Sequence, residues 1–247
     1  MASEKTRPKS ELVQELKSHG IVLFGLVAFM WLVQIVNALV FQGRLAGLGV
    51  HPRALSGLVG ILFAPFLHGS FAHLIGNTLP LVVLGWFVML RRKRDLLYVS
   101  ASAALVGGLG TWLIGPSLSV HVGASVLVFG YLGYLLVRGF LERSFWSIAG
   151  SLAVFFLYGG ALFGVLPGDV GISWQSHLFG LLGGVLAARA LAKGAKQDAK
   201  PRLAGGASQG ATGRARVGKL EAGPAKHATP IQDDDEELEA LRRRVGR

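Results

Sequence analysis

No cysteine occurs among the 247 residues, which excludes a disulfide framework, a thiolate metal site and a thiol nucleophile. Charge is also sparse: 16% of residues are Asp, Glu, Lys or Arg, against 51% hydrophobic. With a mean hydropathy of +0.50, that balance indicates an integral membrane protein rather than a soluble domain. Carboxylates are missing from the apolar runs altogether. Of the fourteen acidic residues, Glu4, Glu11 and Glu15 precede the first run, and Asp95, Glu142 and Asp169 stand in links. The other eight lie beyond residue 192. An intramembrane aspartyl protease needs two facing carboxylates sharing a proton. A zinc protease needs a ligand set such as His-Glu-x-x-His, which is absent here, and proton-coupled transporters usually carry membrane carboxylates. Neither a metal nor a cofactor is expected.

What is present is six apolar runs, at 21–41, 71–90, 96–115, 124–140, 146–166 and 174–192. Each is near the length that crosses a hydrocarbon layer of about 30 Å. Backbone groups in lipid must bond within their own segment, so each run reads as a helix. The first run is too long for a signal-peptide core and reads as a retained span. In segment 42–70 the apolar part, 58–67, is too short to span and contains Pro65. It reads as an interfacial element, with Arg44 and Arg53 at the headgroups.

The formal net charge of +11 does not indicate nucleic acid, because the cations fall between and after the apolar runs. Lys5, Arg7, Lys9 and Lys17 precede the first run. Arg91, Arg92, Lys93 and Arg94 fill the link after the second, and Arg138 and Arg143 lie at the link after the fourth. The last run ends near Arg189, and twelve Lys and Arg follow from 193 on. The alternate links hold only Arg44 and Arg53. The positive-inside rule then puts both termini in the cytoplasm. The expected organisation is a cytoplasmic segment 1–20, a membrane domain 21–192 and a tail 193–247 that reads as disordered. Within the tail, 233–244 could form a short helix with Glu239 and Arg243 four apart.

Three stretches carry polar groups at one depth. Ser125 opens the fourth run after Gly123 and Ala124, His73 and Asn77 share a face near the start of the second, and His177 lies near the start of the sixth. All three runs travel from outside to inside in this topology. A serine at a helix N-terminus sits where backbone N–H groups are unpaired and the dipole favours negative charge. Gly180 and Gly184 continue the His177 face, and Gly130 and Gly133 give the fourth run a matching smooth surface. A small-residue seam between those helices would bring Ser125 and His177 within hydrogen-bond reach, although such glycines also serve generic packing. Pro80 should bend or loosen its helix. His121 is a second candidate for the base, His68 reads as a loop hydrogen-bonder and Ser176 as a cap or packing residue. Serine chemistry with a histidine base and no acid is sufficient in principle.

On these residues the sequence resembles the rhomboid intramembrane serine proteases over roughly 20–192. The motifs are His68-x4-His73-x3-Asn77, Gly123-Ala-Ser125 with Phe129, and His177-x2-Gly180-x3-Gly184. The resemblance implies an all-α membrane protein, a rhomboid-like bundle of six transmembrane helices around a water-filled cavity, with a disordered C-terminal tail. It implies Ser125 as nucleophile, His177 as general base and His73 with Asn77 as the oxyanion-stabilising pair. Gly123, Phe129, Gly180 and Gly184 would support the site, Phe129 by packing on the base. The implied setting is a bacterial plasma membrane, and the implied partners are transmembrane protein substrates within the lipid bilayer. One departure stands out: rhomboids commonly have glycine directly after the serine, and here it is Val126. The alternative to an active protease is a catalytically silent rhomboid-like binding protein.

Overall fold

The computed structural model describes residues 9–142, 145–168 and 171–208. The chain divides into two units, residues 1–202 and 203–247, and the fold below concerns the first. The helices are α1 (Lys9–Leu39), α2 (Leu55–Phe63), α3 (Phe71–Met89), α4 (Asp95–Ile114), α5 (Ser125–Glu142), α6 (Phe145–Tyr158) and α7 (Trp174–Ser208). Short 3-10 turns occupy Arg44–Leu48, Ala64–Phe66 and Gly159–Val165. Among the described residues there is no strand, only an isolated antiparallel bridge between Val50 and His121.

Among the described residues, five segments are long and apolar enough to cross a membrane: Val13–Leu39, Phe71–Met89, Asp95–Ile114, Ser125–Glu142 and Ser147–Val165. The sixth expected span is present as α7 but falls outside that set. Gln175, Ser176 and His177 crowd its first turn and Arg189 lies further along. Large apolar side chains such as Phe24, Leu97 and Phe156 stand 75%, 70% and 81% exposed, a surface that a bilayer accepts and water does not.

Several boundaries differ from the sequence reading. α1 spans Lys9–Leu39, so residues 9–20 of the expected polar segment 1–20 are helical. Its stretch before residue 20 is held by tertiary contacts: His19 is buried edge-on to Trp86 with centroids 5.6 Å apart. Lys93 Nζ donates to Ser18 Oγ at 2.5 Å. α7 likewise runs past 192 to Ser208, through a stretch rich in alanine and lysine, both good helix formers. The remainder of the expected tail, including 233–244, lies outside the described residues, as does Asp169. α3 continues through Pro80 without interruption. Asp95 is not in a link but is the first residue of α4, and it is buried. It accepts a hydrogen bond from Tyr134 Oη at 3.1 Å. Glu142 ends α5.

α5 is the central helix. Buried residues make up 61% of its membrane window, against 11–33% for the other four spans. Lipid supplies no hydrophobic force between helices, so close packing must hold them. Glycine makes that packing possible. A Cβ on Gly184 would run into the Gly130 carbonyl and lie 2.9 Å from Tyr134 N, and one on Gly180 would meet the Val126 carbonyl at 2.6 Å. Leu181 O presses on Gly133 in the same way. The small-residue seam between α5 and α7 therefore exists, and its register pairs 126 with 180 and 130 with 184. On α4, Gly107 faces Val126 and Gly180, and Gly108 faces Ile61 of α2. Because the Gly184 contact is with backbone, Gly184→Ala should destabilise the protein by about 1–3 kcal/mol. Gly25→Ala, which meets nothing within 4 Å, should not. Thermal unfolding in detergent checks both, and equal midpoints for the two variants would contradict the seam.

Candidate active site

Ser125 is half-buried at the first position of α5, so its backbone N–H has no intrahelical carbonyl. The turn before it is built by its neighbours. Gly123 has φ +124, a conformation that side chains disfavour, and its N–H donates to Ala64 O at 2.9 Å. Ala124 N donates to His68 Nε2 at 3.3 Å. Buried His68 is thus the acceptor that fixes the turn, a sharper role than a loop hydrogen-bonder. Val50 and His121 exchange both backbone hydrogen bonds at 3.0 Å, which pins the loop leading into α5.

His73 and Asn77 lie against this turn. A Cβ on Gly123 would come within 2.6 Å of His73 Cε1, 2.8 Å of His73 Nε2 and 3.7 Å of Asn77 Nδ2. Asn77 is buried and its Nδ2 has no hydrogen-bond partner among the described residues. A buried unsatisfied donor requires an explanation, and an absent acceptor beside Gly123 is one.

His177 stacks on Phe129 with centroids 4.1 Å apart and planes 11° from parallel. Its Nδ1 bonds the Gly164 carbonyl at 2.9 Å. A carbonyl can only accept, so Nδ1 carries the proton and Nε2 presents a lone pair. Phe129 is one turn beyond Ser125 on the same face of α5. The seam register, extended back along α7, brings residue 177 level with residue 123, beside the start of α5. The hydrogen bond expected between Ser125 and His177 is not formed: Ser125 Oγ has no hydrogen-bond partner among the described residues. Catalytic hydrogen bonds are often long in substrate-free enzymes and tighten in the complex.

His121 is not free to act as the base. Its Nε2 meets Ser119 Oγ at 2.7 Å and its Nδ1 meets Ser173 Oγ at 2.6 Å. Ser173 Oγ continues the chain to Ser176 Oγ at 2.9 Å, and Ser176 to Thr111 Oγ1 at 2.9 Å. Ser173 also accepts from Ser176 N at 3.3 Å, and so caps α7. The first turn of α7, which carries His177, is thereby tied to α4 and to the loop before Ser125. Sequence reasoning missed Thr111 and Ser173, although a serine just before a helix is a cap signal. Val126 directs its Cγ2 at Gly107 on α4, while its backbone carbonyl rests on Gly180. The bulk after the serine is therefore matched by glycine opposite it. Behind Gly123, a cavity of about 20 Å³ among Ala64, His121, Val126 and Ser176 has room for about one water.

Fold and site together define a multi-pass membrane protein with a serine, two histidines and an asparagine gathered at one end of the bundle. Comparison with known proteins agrees. The family model of the Rhomboid domain matches residues 55–194, more than half of the chain, and the chain belongs to the rhomboid family of intramembrane proteases. It is 39% identical over 220 residues to the uncharacterized protein Rv1337 of Mycobacterium tuberculosis, covering 80% of this chain and 91% of that one. It is 38% identical over 192 residues to an uncharacterized protein, ML1171, of Mycobacterium leprae, covering 74% and 76%. The protein named "Putative rhomboid protease YdcA" of Bacillus subtilis is 32% identical over 123 residues, 49% of this chain and 60% of that one.

Burial holds the pKa of His68 down to about 4, with the neighbouring His73 adding to the effect. An unfolded histidine titrates near 6.5, so the unfolded chain binds more protons below that pH. Stability should be intact above pH 6.5 and lost as pH falls from 6.5 towards 4. His68→Gln keeps an acceptor for Ala124 N and removes this slope, by up to about 1.4 kcal/mol per pH unit. Unfolding midpoints measured across that window check it, and identical slopes would contradict the assignment.

Proposed function

We propose that this protein is a serine endopeptidase that cuts transmembrane substrates near the outer face of the membrane. The Lys and Arg distribution supports an orientation with both termini in the cytoplasm, which puts the Ser125 end of α5 outside. The bacterial plasma membrane is the setting that the family resemblance favours. The observation that carries the chemistry is His177, stacked on Phe129 with Nδ1 committed to Gly164 O. That leaves Nε2 as the basic atom beside the face of α5 that bears Ser125.

In this reading Nε2 of His177 takes the Ser125 proton as Oγ forms a bond to the scissile carbonyl carbon. The imidazolium then returns the proton to the leaving amine. The Ser125 N–H, Asn77 Nδ2 and His73 receive the oxyanion. Asp95 is bonded to Tyr134, nine residues and about 13–14 Å along α5 from Ser125. Among the described residues no carboxylate bonds His177, whose Nδ1 is taken by Gly164 O. The silent-relative alternative rested on Val126, and the fit of that side chain against Gly107 weakens it.

Ser125→Ala and His177→Ala should each abolish cleavage of a membrane-anchored reporter, Ser125→Ala with an unchanged unfolding midpoint and His177→Ala with a lowered one, since it loses the Phe129 stack and the Gly164 bond. Asn77→Ala, which removes one donor, should lower kcat/KM by roughly 10²–10³-fold. Cleavage by Ser125→Ala at the wild-type rate would end the proposal.

A further inference from the structure

At the opposite end of α5 from Ser125 there is a second cavity, of about 210 Å³. α3 and α6 both pack on α5, and the cleft opens between them. Its upper walls are apolar, formed by Phe87, Leu135 and Val154. Its mouth is polar, with Arg138 and Ser147. Ser147 Oγ donates to Glu142 Oε2 at 2.6 Å and Arg138 Nε to Glu142 Oε1 at 2.9 Å. Arg91 shares the same carboxylate at 3.3 Å. Arg91 also lies 4.0 Å from Asp95 Oδ2 and the Arg138 guanidinium carbon 5.8 Å from the Tyr134 ring centroid, but the two terminal nitrogens of Arg138 have no hydrogen-bond partner among the described residues. Arg92, Lys93 and Arg94 follow directly on the link after α3.

We propose that this cleft holds one anionic phospholipid from the leaflet bordering Arg91, with its phosphate on Arg138 and an acyl chain along Phe87, Leu135 and Val154. The lengthwise order, with the open guanidinium nitrogens of Arg138 at the mouth and apolar side chains above, matches that ligand, and basic pockets between membrane helices are where anionic headgroups bind. A substrate helix is the less suitable occupant, since its apolar surface would leave the Arg138 fork unmatched. The site rests on the membrane reading alone and does not depend on the proteolytic chemistry. Gly150 supplies a steric probe: it lines the cleft, and a Cβ there would meet nothing within 4 Å.

Native mass spectrometry of the purified full-length chain, titrated with phosphatidylglycerol or with phosphatidylcholine, reads the site. Wild type should retain phosphatidylglycerol about fivefold more tightly, the factor typical of one cation facing an anionic lipid. Arg138→Gln should reduce that retention to the phosphatidylcholine level, and Gly150→Leu should remove the tight site for both lipids. Ser125→Ala should bind as wild type does, which separates this result from any failure of catalysis. Equal retention of the two lipids by wild type would overturn the proposal, and so would undiminished phosphatidylglycerol binding by Gly150→Leu. If Gly150→Leu kept the lipid but cut the reporter more slowly, the cleft would be a seat for substrate instead, and the lipid proposal would fail.

Discussion

Everything at the site depends on the backbone of α7 lying directly against the backbone of α5. Gly180 rests on the Val126 carbonyl and Gly184 on that of Gly130. In lipid, tails compete on equal terms with apolar side chains, so two helices stay together through close dispersion contact. Each glycine in the seam removes the side chain that would hold the helices apart. The spacing that packs them also fixes their register. Register is what places the ring of His177 on Phe129, one turn from Ser125, instead of a turn further along.

The second constraint is that buried polar groups must be partnered, more strictly here than in a soluble protein. Most are. His68 receives the Ala124 N–H, and His121, Ser173, Ser176 and Thr111 form a continuous chain that ties the first turn of α7 to α4 and the loop before α5. Asn77 Nδ2 is an exception, and it lies beside Gly123. Ser125 Oγ is also unengaged. In the proposed reading, Ser125 Oγ and Asn77 Nδ2 are held open by bonded neighbours, as preorganisation for an incoming carbonyl requires.

The helices could be read from hydropathy because the bilayer imposes a length and forbids exposed backbone polarity. The candidate site stands out in the sequence as three short motifs at one depth, since polar groups such as His73, Asn77, Ser125 and His177 are costly to place in a membrane. Other features depend on contacts that no single stretch reveals. His19 is buried against Trp86 of α3, and Asp95 against a tyrosine of α5. Val126 looked like a defect beside the nucleophile until Gly107 appeared opposite it. His121 offered a plausible base until both its nitrogens proved to be occupied.

The central claim is that Ser125 Oγ is a nucleophile activated by His177, and covalent capture tests it most directly. The purified protein in detergent is treated with a fluorophosphonate probe and the modified peptide is identified by mass spectrometry. The account predicts a single adduct on Ser125, lost in His177→Ala although that variant is still folded at the temperature of labelling. Modification that persists in His177→Ala at the wild-type rate, or an adduct confined to other serines, would contradict it.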